Sequence, residues 1–305
     1  GIAPVGLQGL MWPNAPEILA KAAFEHNIPF VLSTVSTSSI ERISELTEGR
    51  AWFQLYHPAE AEVRDDIIKR AEAAECPVLV ILSDVPTFGF RPRDIRNGLA
   101  MSPKMSIKNM LQILGKPNWA LQTLQHGQPN FETLKPYMPK NLDLKQLGQF
   151  MDQTFSGRLN EERIKPIREM WKGKLVLKGV ANEADVEKAI QLGLDGVIVS
   201  NHGGRQLDGS RAPFDQLSEI VDAVGDKIDV IMDSGIQRGT HVLKALSLGA
   251  KAVGGGRFYL YPLAAAGQPG VERALGLMKS EIQRDMRLMG VRSVSELSLG
   301  SVRFR

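Results

Sequence analysis

The chemistry of this chain concentrates where an apolar run ends. Val197-Ile198-Val199 gives way to Ser200-Asn201-His202-Gly203-Gly204-Arg205-Gln206. The β-branched run reads as a buried parallel strand, and the two glycines let the backbone turn sharply at its C-terminal end. His202 then supplies a base that titrates near neutral pH, and Arg205 a planar fork for an anion. A lone histidine is more often a hydrogen-bonded structural residue; an arginine and two glycines at this spacing favour the functional reading. Asp84 is a carboxylate that would orient His202 and raise its pKa. Arg91 offers a second fork for a substrate carboxylate. Lys178 can stabilise negative charge on a bound ring, although Lys178 and Asp84 from position alone also fit a structural ion pair. The set suits oxidation of a hydroxy acid.

A second group suits phosphate. Asp233-Ser234-Gly235-Ile236-Gln237-Arg238-Gly239 and Gly254-Gly255-Gly256-Arg257 each combine glycine amides with an arginine, and the first leads into a helix N-terminus. Glycines there could also be plain turn chemistry, but an arginine in each loop favours the anion.

These residues need a scaffold that brings strand ends together. Short apolar runs predict eight strands, near Gly1 to Val5, Ile28 to Ser33, Ala51 to Tyr56, Val78 to Ser83, Lys174 to Lys178, Gly196 to Ser200, Asp229 to Met232 and Lys251 to Gly255. Between them, Pro16 to Phe24, Ser39 to Leu46, Ala59 to Ala74, Asn182 to Leu192, Phe214 to Val224 and Gly239 to Leu248 carry helical periodicity. Alternating strands and helices at this length predict an α/β fold, a (β/α)8 TIM barrel forming one domain over residues 1 to 305, with its site at the C-terminal ends of the strands. An open doubly wound sheet is the alternative; Pro4-Val5-Gly6-Leu7-Gln8-Gly9 lacks the glycine fingerprint it needs. A long insertion, residues 85 to 172, follows the fourth strand and is expected to be a lid or interaction region. Within it, Lys104 to Leu124 carries Met105, Ile107, Met110, Leu111, Leu114, Trp119 and Leu121 among lysines. It reads as a helix packed on the barrel or a sister subunit, or as a peripheral membrane contact. Val271, Leu275, Met278, Ile282 and Met286 form an apolar stripe on a closing helix, expected to be core.

Composition narrows the class. A net charge of +3 with interspersed acids and bases does not argue for nucleic acid. Cys76 is the only cysteine, so no intrachain disulfide forms and a reducing, cytoplasmic setting is expected. No window is long and apolar enough to span a membrane, and no metal is expected. The chain opens on Gly1-Ile2-Ala3-Pro4-Val5-Gly6, read as the inside of a strand with an N-terminal segment removed or renumbered away.

Ser200-Asn201-His202-Gly203-Gly204-Arg205-Gln206-Leu207-Asp208 resembles the signature of the FMN-dependent α-hydroxy acid oxidases and dehydrogenases, the family of glycolate oxidase, L-lactate oxidase, L-lactate dehydrogenase and mandelate dehydrogenase. Ile2-Ala3-Pro4-Val5-Gly6, Leu32-Ser33-Thr34, Phe53-Gln54-Leu55-Tyr56, Arg93-Asp94-Ile95-Arg96-Asn97, Leu177-Lys178-Gly179-Val180, Asp233-Ser234-Gly235 and Gly256-Arg257 follow in the family's order, so the resemblance spans essentially the whole chain. It implies that FMN is held by Pro4, Val5, Gly6, Ser33, Gln54, Lys178, Ser200, Asp233, Ser234, Gly235, Gly256 and Arg257. It also implies that Tyr56, Arg91, His202 and Arg205 bind substrate, and that His202, Asp84 and Tyr56 serve catalysis. His202 must start unprotonated, so activity should rise with pH through its pKa. A homotetramer is implied too. The chain departs from the family at Leu82, where a threonine is usual, and at Gln237, where an arginine is usual; the changes imply one hydroxyl and one phosphate contact fewer. The family's N-terminal segment, which brings a further substrate-binding tyrosine, is absent here.

The expected activity is therefore FMN-dependent oxidation of an L-2-hydroxy acid, lactate- or glycolate-like, to the 2-oxo acid. Electrons would pass to oxygen or to a quinone or cytochrome, and the basic, Met- and Leu-bearing insertion leaves room for a site peripheral to the inner membrane. Val35, at a position that shapes the family's pocket, would admit a larger side chain. A catalytically impaired flavin-binding or scaffold homologue is the rival, and intact His202, Asp84, Arg91 and Arg205 count against it. Another FMN barrel would not need the His202 and Arg205 pair.

Overall fold

The apolar runs form seven parallel strands that pair in sequence order: β1 (Val31–Ser33), β2 (Trp52–Leu55), β3 (Val78–Leu82), β4 (Lys174–Val180), β5 (Gly196–Val199), β6 (Asp229–Met232) and β7 (Ala252–Val253). The computed structural model describes residues 1–87, 89–98, 106–127, 129–139, 144–155 and 159–303. Ile2 completes the ring by bridging to Phe30 on one side and Gly255 on the other. Its amide donates to Pro29 (2.8 Å) and its carbonyl accepts from Val31 (3.1 Å), while Ala3 donates to Gly255 (2.9 Å). The strand expected over Gly1 to Val5 is thus a single bridging residue, because Pro4 has no N–H to extend the ladder. The expected last strand shrinks to two residues as the 254–256 glycines begin. The fold is the (β/α)8 barrel.

Helices Ala15–Glu25, Ile40–Thr47, Ala61–Ala73, Glu183–Gln191, Pro213–Val224 and Gly239–Ser247 lie close to their expected ranges. Side-chain caps explain several starts: Ser39 accepts from the amide of Arg42 at 3.2 Å, and Asn182 from that of Asp185 at 2.9 Å. One crossover helix, Glu161–Met170, lies inside the stretch taken as insertion. It is capped by Asn160 and buries Ile164 and Ile167. Its charged sequence and internal Pro166 mask the periodicity.

The rest of the insertion holds helices Pro92–Arg96, Ile107–Leu114, Pro117–His126 and Leu144–Thr154. Met105 and Lys104 lie outside the described residues. Ile107, Met110, Leu111, Leu114, Leu121 and Leu124 are exposed rather than packed on the barrel of this chain. The Trp119 indole ties this helical pair to the carbonyl of Leu10 at 3.2 Å. The closing helix, Arg257–Met289, breaks its helical geometry at Ala266 and Gly267. Beyond the break only the first part of the expected stripe is core: Val271 and Leu275 are buried, but Met278, Ile282 and Met286 are half-covered.

The barrel interior positions the site. Val31, Val78, Val80, Val176 and Ile198, with Trp52 and Ile231, fill its lower part. Side chains alternate with period two along a strand. Two residues on from this apolar layer, the same faces therefore carry Ser33, Gln54, Leu82, Lys178, Ser200 and Asp233, all buried. Burying polar groups is costly unless they are paired or bind something. This layer is the floor of the site.

Candidate active site

Lys178, only 3% exposed, anchors the floor: its ammonium donates to Ser200 Oγ at 2.8 Å and pairs with Asp233 Oδ2 at 3.1 Å. Across the barrel, Ser33 Oγ donates to Gln54 Oε1 at 3.1 Å. Gln54 Nε2 is buried without a partner among the described residues. At the rim, Gly235 has φ +82°, and nothing lies within 4 Å of where a Cβ would be. Gly256 is similarly open, with only Val5 Cγ2 at 3.8 Å. A cation and an unfilled donor below, with two unobstructed glycines above, fit a flat polar ring and a phosphate. FMN is such a group, and Pro4, Val5 and Gly6 run along the same mouth.

Above this floor sits His202. Its backbone is in the left-handed region (φ +57°), followed by Gly203 and Gly204 with φ +67° and +71°, so the chain folds back in a short 3-10 turn. Such a conformation strains any residue with a Cβ and concentrates at functional sites. The turn is braced by Asn201 Oδ1, which accepts from the Gly204 amide at 3.2 Å. It presents the imidazole so that Nδ1 donates to Asp84 Oδ2 at 3.1 Å. With Nδ1 donating, Nε2 holds the lone pair that can take a proton.

Burial pushes the Asp84 carboxyl up, but the His202 hydrogen bond and the charge of Lys178 outweigh it and hold the group below the usual carboxylate range. Asp84 therefore stays ionised through neutral pH. Its close approach depends on Gly179, which has φ +94°; a Cβ there would fall 2.5 Å from that of Asp84. Burial and the Asp84 charge push the Tyr56 phenol up, which leaves it a proton donor. Its ring meets Phe155 edge-on at 5.6 Å.

The arginines close the opening. Arg205 Nη2 pairs with Asp94 Oδ2 at 2.9 Å, and Arg91 Nε donates to the Arg205 carbonyl at 3.1 Å. Burial and the Arg205 charge hold the Arg91 guanidinium below its ordinary pKa. The Gly89 amide donates to Gln206 Oε1 at 2.8 Å, so the start of the insertion is laced to the turn that carries His202. Arg257 reaches the same turn, donating to the Gly203 carbonyl at 2.7 Å. Arg238 instead pairs with Glu281 on the closing helix. Gln237 is exposed, and its amide donates to His241 Nδ1 at 3.3 Å. Leu82 adds an apolar patch to the floor.

The structure thus gathers the sequence-derived residues at one end of the barrel. Asp94, Gln206 and Gly179 were missed as parts of the site. A glycine inside a strand run, as at Gly179, is the one legible sign of a close approach; the other two show nothing until the loops are placed.

The chain matches the model of a family described as FMN-dependent dehydrogenase over residues 1–303. Among solved structures, the monotopic membrane protein (S)-mandelate dehydrogenase is similar at 36% identity and a TM-score of 0.93, covering 100% of this chain and 80% of its own. A mandelate oxidase is similar at 34% identity and a TM-score of 0.80, covering 97% of this chain and 76% of its own. A bound-flavin state of that enzyme type, a mutant mandelate oxidase with a monooxide FMN adduct, is similar at 31% identity and a TM-score of 0.74, covering 97% and 76%. With the barrel closed, a polar floor suited to a flavin and a family match from end to end, the chain belongs to the FMN-dependent dehydrogenases that act on α-hydroxy acids.

Proposed function

We propose that the chain oxidises an L-2-hydroxy acid with a bulky side chain, of the mandelate kind, to the 2-oxo acid. The observation that carries the chemistry is the Asp84–His202 pair, set at the barrel mouth beside Tyr56 and two arginines. The bulky side chain is supported by the mandelate enzymes among the similar structures. A lactate- or glycolate-like substrate is the alternative within the same reaction.

Arg205 and Arg91 grip the carboxylate, and Arg205 exchanges its Asp94 partner for the substrate. Tyr56 donates its phenol hydrogen to the bound acid. His202 Nε2 accepts the proton that the substrate gives up, and the ionised Asp84 stabilises the imidazolium that results. FMN, held over the Lys178 floor, would supply the acceptor for the electron pair from C2 and for the second of the two hydrogens lost in forming the 2-oxo acid.

Anaerobic spectra of the FMN-loaded chain test this. (S)-Mandelate is expected to bleach the flavin at least about tenfold faster than glycolate, a difference of about 1.4 kcal/mol in side-chain recognition. Faster reduction by glycolate would sink the bulky-substrate reading. Bound FMN that no 2-hydroxy acid reduces would favour the impaired homologue. Readmitting oxygen then distinguishes an oxidase from an enzyme that delivers electrons to a quinone or cytochrome.

We also propose that the helical pair Ile107–Leu114 and Pro117–His126 touches a membrane surface. No helix among the described residues is long and apolar enough to cross one. Ile107, Leu111 and Leu114, at helical spacing on one helix, are nonetheless 79%, 64% and 74% exposed, and Leu124 on the next is 80% exposed. The similar (S)-mandelate dehydrogenase is described as monotopic. Co-sedimentation with anionic vesicles should fall about tenfold or more in Leu111→Gln/Leu114→Gln, since burying each leucine is worth about 1.5–3 kcal/mol. Equal binding by the double variant would end the idea.

A further inference from the structure

We propose that Ser234 is a positioning residue: its hydroxyl fastens the turn carrying His202 to the buried Lys178–Asp233 pair. This rests on His202 being the base of the proposed reaction. Ser234 follows β6 with φ +73°, a left-handed conformation that favours glycine and strains serine. Gly203 and Gly204, in similar conformations nearby, are glycines. Strain of this kind persists where something else holds the residue in place.

Its hydroxyl is that something else. Ser234 Oγ donates to Asp233 Oδ1 at 3.0 Å and accepts from the Gly203 amide at 2.9 Å. It also lies 3.4 Å from Ser200 Oγ. Ser200 Oγ in turn accepts from the His202 amide at 3.1 Å and from Lys178 Nζ at 2.8 Å. The two successive amides of the catalytic turn are therefore each held by a serine hydroxyl, one attached to Lys178 and the other to Asp233. Lys178 and Asp233 close the ring with their own contact at 3.1 Å. A glycine at 234 would relax the backbone and break this ring at one point, leaving the Gly203 amide without its acceptor. The hydroxyl thus couples the charges beneath the flavin site to the orientation of the imidazole.

The test compares Ser234→Gly and Ser234→Ala with the parent chain. The first readout is amide hydrogen exchange at Gly203, which needs no turnover. It should quicken about tenfold or more in both variants, while the melting temperature of Ser234→Gly stays at or above that of the parent. The second is flavin reduction followed against pH: the rate should fall about tenfold or more, and the shape of the profile should change. A purely structural serine would let Ser234→Gly keep both the rate and the pH profile. Unchanged exchange at Gly203, or an unchanged profile in Ser234→Gly, overturns the proposal. If no 2-hydroxy acid reduces even the parent, the functional reading has failed and the exchange result alone decides the role of Ser234.

Discussion

His202→Ala is expected to slow flavin reduction by about 10⁴-fold while FMN remains bound, the upper range for removing a general base. Binding should survive because the floor, made by Ser33, Gln54, Lys178, Ser200 and Asp233, does not use the imidazole. His202 contributes only its backbone amide to that network, through Ser200, and alanine retains the amide. Asp84→Asn should be the milder companion. It leaves the base in place but removes the charge that steadies the imidazolium, and Asp84 Oδ1, buried without a partner among the described residues, has no second donor to compensate. Stopped-flow reduction and a flavin-binding titration on the same variants separate the two effects. A His202→Ala chain that reduces its flavin within tenfold of the parent rate would remove His202 from the mechanism.

Lys178→Met is expected to cause the largest loss of stability, about 3–5 kcal/mol, because it strands the Asp233 carboxylate in a buried layer. Asp233 is 6% exposed and has Lys178 as its cationic partner. The sign can be checked by a second substitution. Lys178→Met/Asp233→Asn removes the stranded charge as well and should recover more than half of the loss, as coupled neighbours do. Chemical denaturation of the FMN-free chains measures this without any contribution from the cofactor. If the single and double variants are equally unstable, the loss comes from packing of the lysine stem. FMN affinity should fall in both variants, since each lacks the cation under the ring site.

What was legible in the sequence follows from how local each signal is. The turn at His202 announces itself because the histidine, two glycines and an arginine are contiguous, and the strand before it is an unbroken apolar run. Lys178 and Asp233 are legible because each stands where such a run ends, and strand ends meet in a barrel; Gln54 lies within its run and is carried by the resemblance. The ring through Ser234 was not legible: the contacts that close it join residues 22 to 55 positions apart, and a serine after an aspartate carries no mark of the strained backbone it adopts. The helix Glu161–Met170 was hidden for a different reason, as a proline and a run of charges blur its apolar face. The stripe on Arg257–Met289 was legible as a helix, but periodicity says nothing about where the barrel stops covering it.

The closure through Ile2 sets an order of events in the chain's own assembly. Every strand from β2 to β7 pairs with the one made just before it, so the sheet can grow as an arc from local neighbours. The seam alone must wait: the Gly1 nitrogen donates to the Val253 carbonyl across 252 positions, and Ile2 bridges to Gly255 beside it. Until the last strand has been synthesised, both edges of the arc carry unpaired backbone groups of the kind that pair with other chains. Ring closure is then the step that hides them, and it brings Val5 alongside Gly256, so the rim for the phosphate takes shape only when the circle does.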